Sequence, residues 1–218
     1  MANNFKNAVK RNISADSTLP TTIYSTPDSK KSIAIEIDVA NKSTAGVVVT
    51  VQLEDESANL AGTTAQQVST VATDATGDLT TAAVHLLVLN DRIIFTNGTD
   101  PSFTNASLPP SGDAALSETR MYYVQKIEST TKIRIAETRN ASSALTFDTN
   151  GASVVFTKIH IADIIKDAPV PVGGTLKVIS GQKLVLESTA VGNNDKIYAY
   201  CSSANNVDCI ASVLEDVS

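Results

Sequence analysis

Apolar residues recur at every second position through much of this chain. That is the period of a strand whose two faces meet different surroundings. Lys31–Val39, KSIAIEIDV, is the clearest run: Ile33, Ile35, Ile37 and Val39 are expected on one face, with Ser32, Ala34, Glu36 and Asp38 on the other. Asn41–Gly46 supplies a turn, and Val47, Val49, Val51 and Leu53 continue the alternation, so the two segments read as a hairpin with one dry face. Ala168–Ser188, APVPVGGTLKVISGQKLVLES, carries the same signature late in the chain. Pro169 and Pro171 fix an extended entry, Gly173-Gly174 turns the chain, and Leu176, Val178, Leu184 and Leu186 place apolar groups at period two. Gly181-Gln182 is expected to make a second tight connection, so the stretch reads as two strands and one corner of a β-sandwich. Lys196–Cys201 and Val207–Leu214 are further strands, with SSANNVD between the two cysteines as a hairpin turn.

The middle of the chain reads differently. Ser57–Thr81 is rich in Ala, Thr, Ser, Gln and Gly and looks like a linker into a second domain. Val84–Phe95 holds two apolar runs around an Asn90-Asp91 turn. Asn97–Asp113 is a long loop with three prolines, an exposed kind of segment that often contacts something, and Phe103 lies within it. Short strands are predicted at Met121–Val124, Lys132–Ala136, Leu145–Phe147 and Ser153–Phe156. From Lys158 the pattern of the first segment returns. The expected fold is therefore all-β: a discontinuous, jelly-roll-like β-sandwich from residues 19–57 plus 158–218, with a small β-barrel or sandwich domain, residues 58–157, inserted at a loop. Residues 1–18 read as an N-terminal arm, in which Phe5, Val9 and Ile13 at spacing four also suit a short helix.

Composition narrows the function. Only 18% of the 218 residues are charged, the net charge is −6, and no basic block occurs, so nucleic acid is not an expected partner. No run is long enough to cross a bilayer, and MANNFKNAVKRN has no apolar stretch of signal-peptide length, so a soluble protein made in a cytosol is expected, with no membrane partner. Cys201 and Cys209 then read as buried reduced thiols in preference to a cross-strand disulfide. Glu54-Asp55-Glu56 and the Asp74–Asp78 turn are tested as cation sites and read as a solvated strand end and a plain turn. His85 and His160 stand beside apolar residues and read as core or strand-face histidines. No nucleophile motif, phosphate loop or dinucleotide fingerprint is present, so no enzyme activity, catalytic residue, cofactor or metal is expected. With no tryptophan, a sugar-stacking platform would have to come from Tyr122, Tyr123, Tyr198 or Tyr200, and these with Phe103 are the candidate partner contacts. Tyr198 and Tyr200 share a strand face, which suits an inter-sheet or subunit contact better than an exposed pair.

Two sets of stretches resemble tailed-bacteriophage proteins. Thr21–Leu53, with Lys166–Ser188 and Asp195–Asp216, is similar to a small β-sandwich protein of marine and cyanobacterial phages. That protein has a V-A-N turn, a P-V/I-P-x-G-G corner, a KLVLE strand and a final strand ending in L-E. Ala75–Thr138 resembles a β-module inserted in phage tail and fibre proteins, with His85, Asp91, Phe95, Tyr122, Tyr123 and Val124 at the places of its H-x-L-x-x-x-D-x-V-x-F-T and Y-Y-V marks. Asn90 replaces the usual Gly before the Asp, and Ile133 the Phe of the last strand. The resemblance implies a non-enzymatic virion structural protein, assembled in the host cytoplasm as a symmetric homo-oligomer with other virion proteins. The expected place is the neck, tail or baseplate periphery, with capsid-surface decoration as the second location. A different class, a glycan or host-receptor-binding module acting through the inserted domain, is the other reading.

Overall fold

A computed structural model of the chain describes residues 4–59, 67–71, 77–97, 120–146 and 154–216. The chain forms two compact units, Met1–Ala58 with His160–Ser218, and Asn59–Ile159. Both are all-β, and the only helical element among the described residues is a 3-10 turn, Glu56–Ala58. Before the insertion the strands are β1 (Asn4–Lys10), β2 (Thr21–Ser25), β3 (Lys31–Asn41) and β4 (Val47–Glu54). The inserted unit holds β5 (Gln67–Val71), β6 (Leu79–Thr81), β7 (Arg92–Asn97), β8 (Met121–Ser129), β9 (Lys132–Ala136) and β10 (Val154–Ile159). The first unit resumes with β11 (Ile161–Val170), β12 (Thr175–Ala190), β13 (Asn193–Asn194), β14 (Lys196–Cys201) and β15 (Val207–Glu215).

In the first unit the strand orders are β1-β15-β3-β12-β13 in one sheet and β11-β4-β14-β2 in the other, with all pairings antiparallel. Apart from the two-residue β13, this is the strand order of the jelly roll, a double-sheet sandwich of eight strands in which the chain passes back and forth between the sheets. The core lies between the sheets. Ile37 and Val39 of β3 and Cys209, Ala211 and Val213 of β15 belong to one cluster with Val49 and Val51 of β4 and Ile197, Ala199 and Cys201 of β14. The inserted unit is a six-stranded closed barrel, β10-β5-β6-β9-β8-β7. Leu79, Ile93, Phe95, Tyr122, Val124, Ile133, Ile135 and Phe156 form its core.

Several local expectations change. The Lys31–Leu53 pair is not a hairpin: β3 pairs with β12 and β15, while β4 pairs with β11 and β14. The same holds at the cysteines, because β14 and β15 lie in different sheets and SSANNVD carries the chain across the sandwich. Within β3 the inward face switches. Ser32 and Ala34 are buried at one end, Ile37 and Val39 at the other, and Ile33 and Ile35 are half-buried. The cause is a bulge: Glu36 pairs with Ser212 but Ala34 with Val213, which leaves Ile35 unmatched. Gly181-Gln182 is likewise no turn between strands but part of a bulge inside the single strand β12, where Ser180 and Leu184 flank the irregularity opposite Glu36 and Ala34. Gly181 has φ +74°, which a glycine adopts without Cβ strain.

The segment read as an arm is part of the sandwich. β1 pairs with β15 from Asn4–Glu215 to Lys10–Cys209, and Ile13 is fully buried in the core, so no helix forms there. In the inserted unit, Val84–Leu89 is not a strand; it alternates buried His85 and Leu87 with exposed Val84, Leu86 and Val88. Of the expected strand Leu145–Phe147, Leu145 and Thr146 are not in a strand, and Phe147 lies outside the described residues.

Candidate functional site

The tyrosines proposed as partner contacts are mostly inside the protein. Tyr122 is fully buried in the barrel, its ring edge-on to Phe95 with centroids 5.7 Å apart. Tyr123, the next residue, points to the other side of β8 and is also buried. The Arg92 guanidinium sits 4.8 Å over its ring and donates to its hydroxyl. Neither ring is a surface platform, because both are taken up by packing within the unit. Phe103 lies outside the described residues, as does most of the Asn97–Asp113 loop. Tyr198 and Tyr200 do share one side of β14, opposite Ile197, Ala199 and Cys201; Tyr198 is buried and Tyr200 half-buried.

That side of the β11-β4-β14-β2 sheet is a polar face which the sequence reading did not single out. Strand β4 contributes Thr50, Gln52 and Glu54, all buried although they alternate with the core valines. Glu54 is 3% exposed; its carboxylate accepts from the Tyr198 hydroxyl at 2.7 Å and from Lys196 Nζ at 3.2 Å. The acidic triplet therefore does not begin as a solvated strand end: Glu54 is buried and paired. Gln52 donates to Asp163 at 2.6 Å, and its Oε1 is buried with no hydrogen-bond partner among the described residues. The Asp167 amide donates to Thr50 Oγ1 at 3.1 Å. Burial, with Glu54 close by, raises the Glu56 carboxyl above its ordinary range.

The remaining candidates are structural. Asp78, at the turn tested for calcium, holds Arg134 at 2.7 Å, and Asp74 lies outside the described residues. No cluster of three or more His, Cys, Asp or Glu side chains able to hold a metal occurs among the described residues. His85 is buried, with Nε2 2.9 Å from the Ser129 carbonyl and Nδ1 accepting from the Leu87 amide at 3.0 Å. His160 is exposed between β10 and β11 instead of buried on a strand face. Cys201 and Cys209 are free and buried; burial, reinforced by Asp38, pushes the Cys209 thiol up to about 12.

The opposite outer face, on the β1-β15-β3-β12 sheet, is apolar along one line. Register places Phe5, Leu214, Ile33 and Val185 side by side across the four strands. Phe5 is 66% and Val185 54% exposed, with Leu214 and Ile33 half-buried between them. Val9 and Ile210, also exposed, form a second apolar pair on the same face.

No family model, curated protein or solved structure matches the chain. No helix of the described residues is long and apolar enough to cross a membrane.

Proposed function

We propose that this chain is a non-enzymatic structural subunit of a tailed-phage virion, a self-associating building block of the neck, tail or baseplate periphery. The observation that carries the reading is the jelly-roll strand order with a closed barrel inserted between β4 and β11. Jelly rolls build viral capsid domains, though also lectins and cupins, so the fold supports the class without choosing the activity. The stretches that resemble phage proteins supply that choice. Thr21–Leu53 and Lys166–Asp216 make up most of the jelly roll, and Ala75–Thr138 runs through the barrel. Two of the resembling motifs are also joined. The Asn41 side chain, in the V-A-N turn, donates to the Val170 and Pro171 carbonyls of the Pro-Val-Pro corner at 3.1 and 3.0 Å.

Self-association is assigned to the apolar line Phe5–Leu214–Ile33–Val185, with a second copy of this chain as its partner. Apolar side chains aligned on one sheet face are removed from water when two such faces meet. Light scattering on the purified chain tests this. The expected result is an oligomer that falls to a monomer in Phe5→Ser/Val185→Ser with an unchanged far-UV circular dichroism spectrum. A wild-type chain that stays monomeric at high concentration, or a variant that keeps the oligomer, contradicts the assignment. Capsid-surface decoration is the alternative location within this class.

A further inference from the structure

We propose that the first unit carries a carbohydrate subsite, a cleft of about 240 Å³ lined by Tyr200, Asp167, Thr50, Ser17, Ser202 and Val48, which takes a single neutral pyranose unit. This rests on the geometry of one sheet face and is independent of the assembly reading.

The cleft is built by a local irregularity of β11. Ile165 pairs with Val51 and Ala168 with Val49, so Lys166 and Asp167 together stand opposite the single residue Thr50. A bulge of this kind bends an edge strand and re-aims a side chain. Asp167 sits in the left-handed region, φ +48°, a conformation Asp tolerates better than most residues. Its amide is held by Thr50 Oγ1 at 3.1 Å, and its own Oδ1 lies 3.4 Å from that hydroxyl. The backbone is thereby fixed, while Asp167 itself remains exposed at the cleft. Across from it, on β14, stands half-buried Tyr200, whose neighbours Ala199 and Cys201 are locked in the core.

The lining sets the ligand class. A pyranose has a C–H face that lies against an aromatic ring and a rim of hydroxyls. A carboxylate accepts hydroxyl hydrogens in short charge-assisted bonds, and Thr and Ser hydroxyls can both donate and accept. Tyr200, Asp167, Ser17 and Ser202 supply that combination, with Val48 as an exposed apolar wall and buried Thr50 beneath them holding Asp167 in place. Among the described residues no Lys, Arg or His lines the cleft, which disfavours a phosphate or sulfate ligand. One ring falls short of the aromatic cage that a quaternary ammonium prefers. The volume lies just below the roughly 300–1,000 Å³ of drug-sized sites, which matches one ring and not an extended chain.

The test uses the full chain and a panel of methyl glycosides of glucose, galactose, mannose and N-acetylglucosamine, with tetramethylammonium as the competing probe, read by amide chemical-shift changes. The expected result is weak saturable binding of at least one glycoside, with shifts centred on Thr50, Asp167 and Tyr200. Affinity should fall about tenfold or more in Asp167→Asn and in Tyr200→Ala, with Tyr200→Phe close to wild type. Asp167 is exposed, so Asp167→Asn keeps the fold and separates lost binding from lost structure. Absence of glycoside binding at tens of millimolar overturns the proposal. So does binding that is unchanged in both variants, or tetramethylammonium binding more tightly than every sugar.

Discussion

Asn41 ties two distant parts of the jelly roll together, and its removal has a calculable cost. The side chain is buried at the end of β3, and its Nδ2 donates to the carbonyls of Ala45 at 2.8 Å, Val170 at 3.1 Å and Pro171 at 3.0 Å. Its Oδ1 accepts from the Ser43 amide at 2.8 Å and the Ser43 hydroxyl at 2.7 Å. Asn41→Ala removes the buried hydrogen bond to the Val170 carbonyl, which keeps its place in the β11–β4 ladder opposite Val47, at a cost of about 0.5–1.5 kcal/mol. The four part-buried groups, the Ala45 and Pro171 carbonyls and the Ser43 amide and hydroxyl, add about 0.5–1 kcal/mol each, so about 2.5–5.5 kcal/mol is expected in all. Asn41→Asp should be no better, since an acceptor-only carboxylate then faces three carbonyls. The chain has two compact units, so a single melting curve is a poor measure. Hydrogen exchange across a urea series, read peptide by peptide, is the suitable assay. The loss should appear in β3 and β11, which hold the network, and in the turns that follow them, at unchanged barrel protection. A change below about 0.5 kcal/mol in those strands would refute the reasoning, because such a value is typical of an ordinary surface substitution.

Three further predictions concern packing and titration. Gly77 has φ +68°, and a Cβ there would lie 1.8 Å from the Leu145 carbonyl oxygen, so Gly77→Ala should cost the barrel at least about 2 kcal/mol in the same exchange assay; a neutral effect contradicts this packing. Cys209, pushed up to about 12 by burial and then by Asp38, keeps its proton in the folded state, whereas the unfolded thiol loses it near pH 8.5. Its stabilisation is complete below that pH and declines by about 1.4 kcal/mol per unit between roughly pH 8.5 and 12; Tyr24, raised mainly by burial, adds the same sign above about pH 10. Cys209→Ala should flatten the alkaline arm of a stability–pH curve measured by urea, and an unchanged arm contradicts the assignment. Asp38 is raised first by burial and then by Glu36, against Lys177, and its Oδ1 is buried without a partner among the described residues. Its ionised form is therefore disfavoured by folding, so Asp38→Asn should be the more stable protein at pH 7, with the gap closing below about pH 4; a less stable Asn variant at pH 7 refutes this.

Alternation in the sequence located most strands of the first unit and their apolar side, but not their partners. Val47, Val49 and Val51 face the core whether β4 pairs with β3 or lies across the sandwich from it, because a period of two reports a face and not a neighbour. The Lys31–Leu53 and Cys201–Cys209 hairpins were misread for that reason. Bulges hide for a related one: the inward shift from Ala34 to Ile37 arises from a register slip that leaves no mark in an unbroken run of alternating residues. β1 escaped because an edge strand buries little, and only Ala8 of its side chains packs against the core. The polar face of β4 was visible as Thr50, Gln52 and Glu54, but such residues ordinarily mark solvent, and their burial depends on neighbours from β11 and β14. Nothing in the sequence marks Asp167 as left-handed. Tyr122 and Tyr123 stand out in the sequence only by residue type; adjacent strand residues face opposite ways, and here one side is the barrel core and the other is closed by Arg92.

The central claim is that this chain is built into a tailed-phage particle. Immunogold electron microscopy of purified particles encoding it, paired with mass spectrometry of their proteins, tests that claim most directly. The account predicts the chain among the virion proteins, with gold at one vertex of the head or along the tail. Gold spread over the head would move it to capsid decoration. Intact particles without label and without its peptides would contradict the structural reading.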